Sequence, residues 1–223
     1  MTAYEVNHKI YMAGSFRKGA KRPVHHLMTS QQYQQYFNTY AAKGFRPDRI
    51  SVLTRLNGPP LFTAIWAPKD GAFESYHAMT RADFLAKRKQ MRQANYLIVD
   101  LAVYQDGNPA ELRFAGTWVK KPFTDYATYI NMSKSEFNKR HSEPKPKGFA
   151  LTHLEPYVGE NGISFAAIWE KRPGNWGFAY MLNGKEYQAQ YNQYATQGYR
   201  LHQVLAAGNP NTNDDFISAV WVK

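Results

Sequence analysis

Four tryptophans set the frame of this sequence. Trp66, Trp118, Trp169 and Trp221 are 52, 51 and 52 residues apart, and each closes a similar phrase. The phrases are Leu-Phe-Thr-Ala-Ile-Trp at 61–66, Arg-Phe-Ala-Gly-Thr-Trp at 113–118, Ser-Phe-Ala-Ala-Ile-Trp at 164–169 and Phe-Ile-Ser-Ala-Val-Trp at 216–221. A phrase returning at a fixed period, flanking columns included, marks copies of one supersecondary unit that cannot bury its apolar face alone. The 223 residues therefore read as four stacked units, not as one or two conventional domains.

Each unit has the same internal grammar. An apolar residue (Met28, Met79, Met132, Leu182) precedes an N-cap type (Thr29, Thr80, Ser133, Asn183), and three positions on stand Gln32, Asp83, Glu136 and Glu186. These are capping boxes, Asp83 being the weakest member because its side chain is short. An aromatic follows each time (Tyr33, Phe84, Phe137, Tyr187), completing a hydrophobic staple. Gly44, Asn95, Gly148 and Gly198 are placed to take the left-handed conformation that ends a helix. Pro144 and Pro146 predict a shorter third helix.

After each helix the apolar period becomes alternating, as in Ile50 and Val52 or Leu101 and Val103, and turn residues such as Asn57-Gly58-Pro59 follow. The Trp phrase is then a second, antiparallel strand with apolar or small residues on both faces, as in a buried central strand. Ala64, Gly116, Ala167 and Ala219, two residues before each Trp, imply close packing at that point. A further strand leads into each helix. The fold class is α+β: four tandem repeats of strand-helix-strand-strand, expected over 25–71, 72–122, 123–174 and 175–223, behind a basic arm at 1–24. Closure into a ring or toroid is expected, with the loosely alternating segment from Tyr4 to Met12 as a closing strand beside the last repeat.

His-His-Leu-Met at 25–28, Gly-Phe-Arg-Pro at 44–47 and Phe-Thr-Ala-Ile-Trp at 62–66 resemble the bacterial tandem repeat domain family. That array also forms the N-terminal half of fungal polyglycine hydrolases and accompanies beta-lactamase-like serine hydrolase domains. The resemblance covers about residues 22–223, and repeat two departs from it with Asn95 and Leu97 in place of Gly and Arg. It implies a repeat array of helices and strands, an accessory to catalysis. Ser15-Phe16-Arg17-Lys18 and Tyr129-Ile130-Asn131 match the companion hydrolase's Ser-x-x-Lys and Tyr-x-Asn elements by coincidence, since four repeats leave no room for that domain.

Composition narrows the function classes. No cysteine is present, so disulfides, thiolate zinc sites and a cysteine nucleophile are excluded. No stretch of about 18 apolar residues and no signal-peptide pattern occur, which fits a cytoplasmic chain or a mature secreted form equally. The net charge of +11 is uneven: the arm carries +4, the last repeat none. The basic clusters Arg17, Lys18, Lys21 and Arg22, and Lys87, Arg88, Lys89 and Arg92 are candidates for an anionic polymer, although a solvated face is the commoner meaning of such runs.

One column is polar in every repeat: Arg49, Asp100, His153 and Gln203, beside His202. In a ring it would converge on the axis, where it would build a small-ligand or enzymatic site; no ligand spacing supports a metal, and no cofactor is expected. The leading expectation is a non-catalytic module that binds an extended polymer, glycan or polypeptide, or a partner protein. Tyr40, Tyr104, Tyr157, Tyr191 and Trp176 are its aromatic surface candidates.

Overall fold

The computed structural model describes residues 2–6, 9–14, 21–55, 58–107, 109–120, 125–142, 148–160, 162–208 and 215–223. They fall into two compact units, Met1–Ala3 with Phe16–Phe123, and Tyr4–Ser15 with Thr124–Lys223. The chain opens with β1 (Thr2–Val6) and β2 (Lys9–Ala13), which pair with each other in a two-stranded sheet. The final three-stranded sheet does not include this segment; instead Ala13 packs beside the last repeat's core. At Gly208 a Cβ would lie 2.2 Å from the Glu5 carbonyl oxygen, so only glycine admits the N-terminal backbone there.

Every repeat then runs strand, helix, strand, strand. The first unit contains β3 (Val24–Met28), α1 (Ser30–Ala42), β4 (Phe45–Leu53) and β5 (Leu61–Pro68), then β6 (Phe73–Met79), α2 (Arg81–Gln93), β7 (Tyr96–Asp106) and β8 (Glu111–Lys120). The second contains β9 (Tyr126–Met132), α3 (Lys134–Ser142), β10 (Phe149–Gly159) and β11 (Gly162–Lys171), then β12 (Trp176–Leu182), α4 (Gly184–Thr196), β13 (Arg200–Gly208) and β14 (Asp215–Val222). Each repeat is its own antiparallel sheet with the Trp strand central, in the orders β3-β5-β4, β6-β8-β7, β10-β11-β9 and β12-β14-β13.

Local chemistry explains the helices. Complete capping boxes close Thr29 with Gln32, Thr80 with Asp83 and Asn183 with Glu186. Asp83, expected to be the weak one, both accepts from the Thr80 backbone N–H (3.1 Å) and pairs with its hydroxyl (2.6 Å). In α3 the Ser133 hydroxyl still accepts from the Glu136 N–H, but the Glu136 carboxylate turns to Arg140, one turn on. That helix has nine residues against thirteen in the others; Pro144 and Pro146 lie outside the described residues. Gly44, Asn95, Gly148 and Gly198 all have positive φ, as the helix ends required.

A second set of positive φ values was not foreseen. Leu27, Ala78, Asn131 and Met181, one residue before each staple position, lie between 54 and 58°. A strand bulge sits at the same place, with register shifts between His25 and Met28 and between Tyr76 and Met79. The distortion aims the chain into the helix, and a left-handed residue with a Cβ costs about 1–2 kcal/mol each time.

Packing follows from the stacking of repeats inside each unit. The core around Tyr33, Phe62 and Trp66 is completed by Ala102, Tyr104 and Ala115 of the next repeat. In the second unit Val220, Phe178 and Tyr180 of repeat four complete the core of repeat three around Phe137 and Trp169. The four repeat tryptophans are all buried, and among the described residues no acceptor meets their indole N–H groups. They act as apolar slabs. The small column is explained in repeat two, where a Cβ on Gly116 would lie 2.6 Å from the Trp118 ring.

Candidate functional site

The recurring polar column sits where each second strand bulges. The register of β4 on β5 skips between Pro47 and Arg49, that of β7 on β8 between Ile98 and Asp100, that of β10 between Leu151 and His153, and that of β13 between Leu201 and Gln203. A bulge disrupts the ladder and leaves a backbone N–H in need of an acceptor. The column supplies it from the next repeat. In the first unit the Ile50 N–H donates to Asp100 Oδ2 at 2.6 Å; in the second the Leu154 N–H donates to Gln203 Oε1 at 2.9 Å.

The column members therefore meet in pairs. Arg49 lies 3.6 Å from the Asp100 carboxylate and donates to the Val99 carbonyl at 3.2 Å. Asp100 is fully buried, and desolvation pushes its carboxyl up to about 7 despite Arg49 and the Ile50 N–H, with Asp48 adding to the rise. In the second unit Gln203 Oε1 is committed to Leu154, so its Nε2 amide donates to His153 Nδ1 at 2.6 Å. The His153 proton then resides on Nε2, 3.2 Å from Glu155 Oε2. His153 is wholly buried. These groups join repeats. His202 is the bulged residue next to Gln203, half-buried with its ring edge-on to Trp176 at 5.1 Å.

The aromatic candidates separate. Tyr104 and Tyr157 are only 2% and 3% exposed, which corrects their assignment to the surface. Their hydroxyls accept from the N–H groups of Ala78 and Asn131, the left-handed residues, at 3.0 and 2.8 Å. Trp176 is half-buried beneath the Arg172 guanidinium. Tyr40 is half-buried against Trp66, while Tyr191 on α4 is 37% exposed, as is Tyr36 on α1, which sequence reading passed over.

Among the basic candidates, Arg17 and Lys18 lie outside the described residues, as does Ser15. Lys21 is exposed, and Arg22 is paired with Asp48. On α2, Lys87 lies over the Tyr76 ring at 4.2 Å, and Lys89 and Arg92 are exposed while Arg88 is half-buried.

Two arrangements near α1 were not legible in the sequence. Ser30 Oγ is 3.1 Å from His77 Nε2, a nucleophile-and-base spacing. Burial lowers the pKa of His77, which keeps it neutral, but among the described residues no carboxylate pairs with its other ring nitrogen, so the contact serves to join α1 to β6. The second is a shallow depression of about 230 Å³ lined by Val24–Met28, Gln32 and Tyr36. Its wall is an aromatic stack: Tyr36 lies on His25 (3.7 Å between centroids), His25 bonds Tyr40 through Nε2 at 3.0 Å, and Tyr40 stacks on Trp66 at 5.0 Å. Among the described residues no group of three or more His, Asp or Glu is placed to hold a metal ion.

Comparison with known families resolves the repeat. The polyglycine hydrolase-like structural repeat matches at residues 19–69, 70–121, 124–172 and 174–223. The chain belongs to that family. Its four matches take in the whole strand-helix-strand-strand series described above, including both joints. No curated protein matches the chain. Among the described residues no helix is long and apolar enough to cross a membrane.

Proposed function

We propose that this repeat array is a non-catalytic binding module that recognises an extended polymer, glycan or polypeptide, or a partner protein, through the outer faces of α1 and α4. The observation that carries this reading is the composition of those faces. α1 (Ser-Gln-Gln-Tyr-Gln-Gln-Tyr-Phe-Asn-Thr-Tyr-Ala-Ala) has no charged residue, and α4 repeats its pattern with only Lys185 and Glu186. The pairs Gln34 to Asn38 and Gln188 to Asn192 hydrogen-bond identically at 2.9 Å, holding amides in a fixed display beside the exposed Tyr36 and Tyr191. Fixed amides and aromatic rings suit a neutral, hydroxyl- or amide-rich ligand, because they offer stacking faces and hydrogen bonds without the desolvation cost of a charge.

Mobility in native gels cast with neutral polysaccharides or with soluble polypeptides tests the reading. Retardation by one of them, reduced in Tyr36→Ala or Tyr191→Ala, is expected; unchanged mobility in every gel sinks it. Ring closure belongs to the same reading, because it would set the four helices on a common rim. Removal of residues 1–13 is then expected to lower the melting temperature markedly.

A second reading rests on α2, which carries Arg81, Lys87, Arg88, Lys89 and Arg92 against Asp83 alone. Such a helix attracts a polyanion. Retention on heparin that persists above physiological salt favours it, and elution below that point removes it.

A further inference from the structure

The same pair of columns differs tellingly among the four repeats. In repeats two and three a strand tyrosine is covered by a cation from the helix: Lys87 Nζ lies 4.2 Å from the Tyr76 ring centre, and the Arg140 guanidinium 4.0 Å from that of Tyr129. Repeat four has Ala179 and Gln190 at these positions. Repeat one alone places two rings there, His25 and Tyr36, in face-to-face contact. Its cation has been replaced by a second aromatic surface, and that surface is 37% exposed.

We propose that the depression between β3 and α1, with the His25–Tyr36 stack as its wall and His26 and Gln32 at its edge, is a subsite for one neutral sugar ring of a polysaccharide. This rests on the module reading given above and narrows it to a substrate class. Sugar rings present C–H bonds of partial positive character on one face, which suit the negative face of an aromatic ring, and hydroxyls around the rim. The wall is rigid because His25 is fixed by Tyr40, and Tyr40 by the buried Trp66. At the rim, Gln32 has its carbonyl oxygen committed to the Thr29 N–H, which turns its amide N–H groups to the role of donors. His26 is exposed and supplies a ring nitrogen of either character.

Three observations select a sugar over other ligands. The volume of about 230 Å³ is below the ~300–1,000 Å³ of sites that enclose a whole small molecule, so one ring of a chain is the fitting occupant. An added peptide strand is disfavoured, because β3 is an edge strand whose ladder is broken at Leu27, with φ of 54° and a register shift between His25 and Met28. An anion is disfavoured because α1 brings no Lys or Arg between Ser30 and Ala42. Burial, then the neighbouring His26, also lowers the pKa of His25, keeping its ring neutral near pH 7.

Isothermal titration of the full chain with three neutral hexasaccharides, β-1,4-glucose, β-1,4-N-acetylglucosamine and α-1,4-glucose, alongside hexaglycine and heparin, tests the subsite. Binding of at least one neutral hexasaccharide is expected, weakened about tenfold or more by Tyr36→Ala and within about twofold of wild type in Tyr36→Phe, since the ring and not the hydroxyl is the platform. His26→Ala, at an exposed position, is expected to weaken binding about threefold and serves if Tyr36→Ala lowers the melting temperature. Sugar binding that Tyr36→Ala and His26→Ala leave unchanged overturns the subsite while the module reading stands. Binding of hexaglycine alone overturns the sugar class and spares the module, whereas binding of heparin alone overturns the sugar class and favours the α2 reading. Binding of none of the five overturns the subsite, and the gel series then decides the module.

Discussion

The two units make the same joint with different chemistry. In each, a bulge in the earlier repeat presents a backbone N–H, and a side chain from the later repeat accepts it. In the first unit the acceptor is a carboxylate beside an arginine; in the second it is an amide beside a neutral histidine. The requirement is thus geometric: an oxygen must reach one N–H. Charge is a local elaboration of that requirement, and in the first joint it comes with a carboxyl whose protonation is shifted by burial.

The comparison can be broken most strongly at its acceptors. Asp100→Ala leaves the Ile50 N–H without its acceptor and the Arg49 guanidinium without its carboxylate, and is expected to destabilise by about 3 kcal/mol in urea titrations. Gln203→Ala, which removes a neutral acceptor, is expected to cost less, about 1–2 kcal/mol. Equal losses would mean that the charge adds nothing to the joint.

Acid–base behaviour sharpens the contrast. The Asp100 carboxyl is pushed up to about 7 in the folded chain, against about 4 in the unfolded one. Between those values the unfolded chain has released its proton while the folded chain still holds it. Folding there takes up a proton, so this group's contribution to stability falls as pH rises from about 4 to about 7 and is constant on either side. Asp100→Asn keeps an acceptor for Ile50 and is expected to flatten that part of the profile of melting temperature against pH; an unchanged slope would refute the assignment.

Smaller effects test where the units agree. Tyr104→Phe and Tyr157→Phe each remove the acceptor of a left-handed residue's N–H, and each is expected to cost about 1 kcal/mol. A difference beyond experimental error would show that the units diverge here too. Ala78→Gly relieves a Cβ at φ of 56° but adds freedom to the unfolded chain, so a net gain of at most about 1 kcal/mol is expected by calorimetry.

Much of the fold was legible because its signals are local or periodic. Thr29 with Gln32, the helix-ending Gly44 and the Trp columns each carry their meaning within a few residues. The joints were legible as a pattern but not in meaning. Arg49, Asp100, His153 and Gln203 stand out as polar in every repeat, yet their partners lie about fifty residues away on a neighbouring sheet, and a bulge decides which N–H they meet. Tyr104 was misplaced for a related reason. It shares the strand face of Asp100 and Ala102, which looks solvent-bound in a single repeat and is covered once repeats stack. Tyr36 was missed because its helix position holds Lys87, Arg140 and Gln190 in the other repeats. A column that varies gives no periodic signal.

The joints also make the repeats exchangeable parts. At the bulge itself the earlier member of each pair offers a backbone N–H, which every residue but proline retains, while Arg49 and His153 add side-chain contacts to it. The hydrogen-bonding constraint at that N–H falls on the later member, and an oxygen on either a carboxylate or an amide meets it. The shared cores then add a demand of shape, since residues of the later repeat complete the packing around the earlier repeat's Trp. A repeat moved within such an array keeps the hydrogen bond at little cost but must match its core to a new neighbour.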